Sequence, residues 1–260
     1  MIRPPRWPRI SRVALVIFRR NFLAWSRYYK SSVLLNFGEP VTSLLAFGFG
    51  LGAYIAKMNG VPFAVFIGPG LLAVTAMNAV TFDMTFDAYD RLNVSGVYAA
   101  MLTTPVTASD IVAGEFLWEA FRSLLYGMVF LLVLCLMGLV RSWWALMIPV
   151  PLVFAGVMFA APALWVSTRS RTHEQLFYYF TLVITPMSLF SGVFFPLQHL
   201  PPVLRTVILL TPLVHVVRII RALVLGSFPP HIAGDVVWVL AYTALLTAWP
   251  TRSLARRLTG

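Results

Sequence analysis

Long apolar intervals broken by isolated charges run the length of this chain. No Asp, Glu, Lys or Arg falls between Lys57 and Asp83, Arg122 and Arg141, Arg141 and Arg169, or Glu174 and Arg205, which leaves charge-free interiors of 25, 18, 27 and 30 residues. A bilayer core of roughly 30 Å needs about 20 predominantly apolar residues as helix. Two shorter windows, 40–56 and 236–251, reach that length with their flanks. The pattern predicts an all-α polytopic membrane protein with six transmembrane helices, over about 32–56, 61–82, 116–140, 143–167, 175–196 and 234–252. Pro196, Pro201, Pro202 and Pro212 cut the chain between the last two into pieces too short to cross. Those pieces read as short re-entrant helices, because broken backbone is tolerated at membrane depth only where protein or a cavity covers it.

The N-terminal segment has a different period. At 100° per residue, Arg9, Arg12, Arg19, Arg20, Arg27 and Lys30 share one arc, while Ile10, Val13, Ile17, Phe18, Trp25 and Tyr28 lie opposite; Val16 and Leu23 intrude on the basic side. Such a helix lies in a membrane interface rather than across it, so 1–30 is expected to be a cytoplasmic basic tail with an interfacial helix. The N-terminus does not read as a signal peptide, being rich in Arg and Pro without a small-residue cleavage site.

Composition sharpens this picture. The 260 residues are 59% hydrophobic and 11% charged, against about 25% charged in soluble domains. The net charge of +11 would point to nucleic acid in a soluble protein, but eight of the 20 basic residues crowd the first 30 positions, beside the first span. That is the positive-inside signature, not a nucleic-acid footprint. With six spans, fifteen basic residues fall on the side of the N-terminus and five (Lys57, Arg141, Arg205, Arg218 and Arg221) on the other. Both termini are therefore expected in the cytoplasm. The lone Cys135 sits among Leu134, Leu136 and Met137 as an apolar filler.

The charges inside the chain narrow the chemistry. The spans carry almost no ionisable group at mid-depth, which argues against a proton- or sodium-coupled carrier. His173, His199, His215 and His231 are scattered without metal-ligand spacing, so no metal site is expected. Asp87 and Asp90 form a D-x-x-D pair that superficially matches lipid-processing membrane enzymes, but no second acidic motif accompanies it. The most polar stretch, 83–115, has Tyr89 to Thr104 as a short amphipathic helix along the membrane, and Thr107 with Asp110 as a capping box opening the next helix. Glu119 and Arg122 are spaced to pair at i, i+3. Phe177, Tyr178, Tyr179 and Phe180 cluster near one end of span five, and Phe194 and Phe195 near the other. They are either interface aromatics or stacking surfaces for sugar.

Several motifs resemble the permease subunits of ABC-2-type exporters: RRNFLAW at Arg19–Trp25, FIGPGL at Phe66–Leu71, LTTP at Leu102–Pro105, DIVAGE at Asp110–Glu115, and TLVITPMSLFSG at Thr181–Gly192 followed by VFFPLQHLP to Pro201. TPLVH at Thr211–His215, with Arg218, Arg221 and Gly226, completes a series that covers the chain in order and looks closest to nodulation-factor exporter permeases, which move lipo-oligosaccharides. The resemblance implies a six-span domain over 31–255 that homodimerises in the bacterial inner membrane above a separate nucleotide-binding ATPase dimer, which would hold the ATP and Mg; this chain would carry no cofactor and no catalytic residue. It also implies a coupling region over about 84–104 (Asp87, Asp90, Arg91, Ser95, Gly96, Thr103, Thr104 and Pro105) and extracytoplasmic helices over 197–226. Arg12, Arg19, Arg20, Trp25 and Arg27 would belong to an interfacial gate helix, and Phe177, Tyr178, Tyr179, Phe194 and Phe195 to the path of an amphiphilic glycolipid. A drug or antibiotic exporter, and a lipid-processing membrane enzyme using Asp87 and Asp90, stay open as alternatives. Where many relatives carry a Glu in the coupling region, this chain reads Val97-Tyr-Ala-Ala100.

Overall fold

The computed structural model describes residues 11–55 and 57–259. Arg3, Arg6, Arg9 and Ile10 lie outside the described residues. Helix α1 (Arg12–Ser26) starts at Ser11, whose hydroxyl accepts the Ala14 N–H at 3.2 Å. Helix α2 (Tyr29–Ser43) runs on through a π-helical stretch at Leu44–Gly50 to Ala53, forming the first span. Two short strands, β1 (Lys57–Met58) and β2 (Val61–Pro62), then pair antiparallel. Asn59 and Gly60 turn the hairpin at φ 50° and 80°, the positive-φ pair that Asn-Gly supplies at least cost.

Helix α3 (Phe63–Phe82) does not stop where charges begin. Two π turns, Asp83–Asp87 and Asp90–Val94, carry the helix unbroken to Val94, 32 residues in all and roughly 48 Å long. The amphipathic helix expected over Tyr89 to Thr104 is thereby divided. Its first part is the end of span two, and only α4 (Val97–Leu102) is separate, set off by Gly96 at φ 62°. The reason is periodic: Asp83, Asp87 and Arg91 recur at four-residue spacing, so one face of an extended helix accommodates them.

Helix α5 (Ala108–Leu136) opens with the expected capping box, Thr107 and Asp110 bonding each other's backbone N–H. Helix α6 (Pro149–Arg169) follows as the fourth span. Helices α7 (His173–Tyr179) and α8 (Thr185–Phe190) are joined through a π stretch into 18 helical residues, roughly 27 Å. They fall short of the span expected over 175–196 and are not among the five described helices long and apolar enough to cross a membrane. Helices α9 (Pro202–Leu209) and α10 (Pro212–Leu225) meet at 84°, the broken pair that the prolines predict, and α11 (Ile232–Thr259) closes the chain.

Span two is the hub. Of its most apolar window 89% is buried, against 12% for the first span and 24% for the last. Helices α5, α6 and α10 surround it, and α11 packs on α6. Close approach depends on small residues, as is usual between membrane helices. A Cβ on Gly156 would stand 2.6 Å from the Glu119 carbonyl, and one on Gly127 2.6 Å from Leu152. The bend between α9 and α10 is pinned by His215, whose Nε2 lies 2.9 Å from the Leu209 carbonyl and whose Nδ1 lies 2.6 Å from Asp235. The ring stacks on Trp238 at 4.4 Å.

Candidate functional site: a buried charge cluster under the short helix

The charges that look solvated in the sequence converge at one end of the bundle. Asp83 and Glu115 are 1% and 0% exposed, and Arg122 is buried between Asp83 and the Tyr126 ring. Arg122 Nη1 lies 2.7 Å from Asp83 Oδ1, and Arg91 Nη2 lies 3.2 Å from Asp83 Oδ2. The same Arg91 Nη2 faces Glu115 at 3.5 Å. Glu119, fully buried, neighbours Asp83 and finds no hydrogen-bond donor among the described residues. Arg122 thus bridges to span two rather than pairing with Glu119 one turn back on its own helix. An interhelical partner at 2.7 Å outcompetes a same-helix spacing that only puts two side chains on one face.

Glu115 is the junction. It accepts from Asn21 Nδ2 at 2.9 Å and from the Tyr98 hydroxyl at 3.0 Å, and Arg20 Nη2 approaches at 3.6 Å. The Tyr98 hydroxyl accepts in turn from Arg91 Nε at 3.1 Å. Burial holds the Tyr98 phenol above its usual range, so it acts as a neutral donor. One carboxylate therefore joins α1, α3, α4 and α5. Charge-assisted bonds of this kind are the stronger ones, and their strength depends on being satisfied together.

Helix α1 is laid lengthwise on the first half of α5. Ser11 donates to Asp110 at 2.6 Å, Asn21 to Glu115, and Trp25 Nε1 to the Tyr126 hydroxyl at 3.2 Å. Between these, a Cβ on Gly114 would stand 2.6 Å from Ile17, so the two helices touch at backbone distance. Arg12, Arg19 and Arg27 point outward, whereas Arg20 turns in to Glu115 and reaches Met101 of α4.

The coupling residues named from sequence separate into three groups. Asp87 and Arg91 belong to the cluster. Asp90 instead meets His173 at 3.0 Å and so faces the start of α7, which leaves the D-x-x-D pair pointing two ways. Ser95, Thr103, Thr104 and Pro105 are exposed, and with Val94, Ala99 and Ala100 they form an uncharged outer face around α4. The aromatics also part company. Phe177 packs on Phe86 at 4.9 Å and Tyr178 is exposed; Tyr179 lines an apolar cavity of about 570 Å³ between α6, α8, α9 and α11. Phe194 meets Phe47 of the first span at 5.2 Å, while Phe195 lines a different cavity at the opposite end of the molecule from the charge cluster.

A chain built this way matches a known family. The profile described as ABC-2 type transporter matches residues 12–225, from the start of α1 to the end of α10. The chain belongs to the ABC-2 type transporter family. It is 35% identical to nodulation protein J of Sinorhizobium fredii (strain NBRC 101917 / NGR234) over 85% of this chain and 86% of that one. It is 33% identical to nodulation protein J of Rhizobium meliloti (strain 1021), over 94% and 93%. It is 27% identical to the inner membrane transport permease YadH of Escherichia coli (strain K12), over 70% and 71%. Within this family the chain is a multi-pass transport permease, and family membership implies an ABC ATPase partner. Sequence reasoning missed Asp83, Tyr98, Glu115 and Arg122 as one site. Their signal was present in the helical spacing of acids in 83–91 and in Glu115, Glu119 and Arg122 falling on one face of α5.

Proposed function

We propose that this chain is the membrane subunit of an ATP-driven exporter in the bacterial inner membrane, with both termini cytoplasmic, and that it moves a lipid-linked oligosaccharide or similar amphiphile. Two copies associate through the exposed apolar side chains of the first span, including Leu34, Leu45, Phe47 and Phe49, and the ATP and Mg belong to a separate ATPase dimer. The observation that carries the reading is the bonding of Glu115 to Tyr98 of α4, Arg91 of α3 and Asn21 of α1. A force applied to the small, uncharged outer face of α4 is handed through that carboxylate to spans two and three and to the N-terminal helix at once. The length of span two, continuous from the hairpin to Val94, gives the push a rigid lever across the bilayer. The amphiphile class rests on likeness to the nodulation proteins and on the apolar cavity beside Tyr179.

The test is affinity purification of tagged protein from native membranes in mild detergent, with ATPase activity assayed in the eluate. A stoichiometric ATPase chain that is lost in Ala100→Arg or Thr103→Arg is expected. Purification alone, without ATPase activity, sinks the reading.

A further inference from the structure

At the end of the bundle away from the charge cluster, the structure holds a second cavity of about 510 Å³ with the opposite electrostatic character. Arg205 of α9, Arg218 and Arg221 of α10, and His231 just before α11 line it, with Phe195 and Gln198 completing the wall. No Asp or Glu among the described residues lines it. Only five basic residues of the chain are assigned to this side by the positive-inside count, and three of them surround this one hollow. That is not how charges distribute when they serve topology alone.

The cations are poorly balanced. Arg221 gives Nε and Nη2 to the Phe66 carbonyl at 3.3 and 3.1 Å, Nη2 also to Gly192 at 2.8 Å, and its guanidinium stacks on the Phe66 ring at 4.1 Å. Those partners fix its orientation in the turn loosened by Pro69, but being neutral they leave its charge uncompensated. Arg218 lies one turn away on the same helix, a like-charge spacing that costs stability. The nearest carboxylate, Asp235, is shared: it meets His215 at 2.6 Å, Arg218 at 3.4 Å and His231 at 3.9 Å. The exposed guanidinium of Arg205 has no side-chain partner among the described residues. A charge held against a membrane helix without a counter-charge, as Arg221 is at Phe66, is expensive and marks a functional position.

We infer that this cavity binds a phosphate-type oxyanion carried on the headgroup of an amphiphile. Guanidinium forks match the oxygens of such a group in pairs, and Phe195 gives the adjoining ring or chain an apolar face. The assignment stands on this geometry and does not depend on the exporter reading.

Delipidated full-length protein in detergent is titrated with dioleoylphosphatidylglycerol and with dioleoylglycerol, which lacks the phosphate, and occupancy is read by native mass spectrometry. The wild type is expected to prefer the anionic lipid by about tenfold, the worth of one charge-assisted bond. Arg205→Gln, which breaks no internal contact, reduces the preference severalfold, and adding Arg218→Gln abolishes it; Arg141→Gln, outside the cavity, leaves it unchanged. A parallel titration with inorganic phosphate separates the sources. Displacement of the lipid assigns the site to the free anion as well, and retention assigns it to the tethered headgroup. Equal retention of both lipids, or a preference that survives Arg205→Gln/Arg218→Gln, overturns the inference.

Discussion

Removing the carboxylate of Glu115 tests the central claim about this fold most directly. Glu115→Ala leaves Asn21 Nδ2 and the Tyr98 hydroxyl without their acceptor, and turns Arg91 and Arg20, at 3.5 and 3.6 Å, toward a void. At an effective dielectric of about 20, the Arg91 contact alone is worth roughly 5 kcal/mol before desolvation is subtracted. Breaking a buried pair by deleting one partner costs about 3–5 kcal/mol overall. For a chain of this length each kcal/mol lowers Tm by roughly 2–4 °C, so a fall of about 6–20 °C is expected. Glu115→Gln keeps the volume and one acceptor, and loses roughly half as much. The assay is thermal unfolding of purified protein in detergent, read by intrinsic fluorescence, as a double-mutant cycle with Arg91→Met. The two residues share Tyr98, so the cycle should show a coupling of about 1–3 kcal/mol, the double variant being less damaged than the sum. Effects that add within about 0.5 kcal/mol would refute the idea that the two charges act as one unit.

Other consequences can be checked singly. Gly114→Leu drives a side chain into Ile17, where a Cβ alone has 2.6 Å, and should displace α1 from α5; cross-linking of a Ser11→Cys/Asp110→Cys pair, efficient in the parent, should fail in that background. Thr107→Ala removes half of the capping box and should cost about 1 kcal/mol, seen as a small drop in Tm with function retained. Gly60→Val forces a β-branched residue to φ 80° and should cost about 1–2 kcal/mol, more than Gly60→Asn at the same site by thermal unfolding. The folded-state pKa of Tyr98 is raised by burial above its unfolded value near 10, so the stability it contributes is intact below that value and lost as pH rises beyond it. Tyr98→Phe should therefore flatten the alkaline limb of a stability–pH curve.

Much of the architecture was legible because lipid imposes simple rules. Charge-free intervals gave five of the six expected spans, the Thr107–Asp110 spacing gave the start of α5, and four prolines gave the bent pair α9–α10. The end of span two was misread because charges were taken to mark water. Asp83 is instead buried and Arg91 half-buried, having found Arg122 and Glu115 on a neighbouring helix. Helical spacing could place these charges on one face of each helix, but which partner each meets is a product of tertiary packing. The same limit applies to Glu119 and Arg122, where i, i+3 proximity was outbid from 2.7 Å by Asp83. The Asn59-Gly60 hairpin, by contrast, was written in a dipeptide with a known turn preference and needed only to be noticed. The aromatic residues at 177–179 share a sequence neighbourhood but not a surface, since consecutive residues of α7 project about 100° apart.

The cluster also bears on how the chain enters a membrane. The charged end of α3 holds Asp83, Asp87, Asp90 and Arg91, and α5 begins with Asp110, Glu115, Glu119 and Arg122. Neither helix neutralises all of its own charges, although Arg91 also reaches Asp83 within the same helix at 3.2 Å. Each offers what the other lacks, with Arg122 for Asp83 and Glu115 for Arg91. Only the short α4 and its turns separate them in the chain, so the two emerge from synthesis almost together. The second and third spans are thus built to partition into lipid as a hairpin. A nascent chain truncated before Ala108 would present the carboxylates of α3 to the bilayer edge with no guanidinium from α5 to meet them, and span two would wait at the insertion site until its partner arrives.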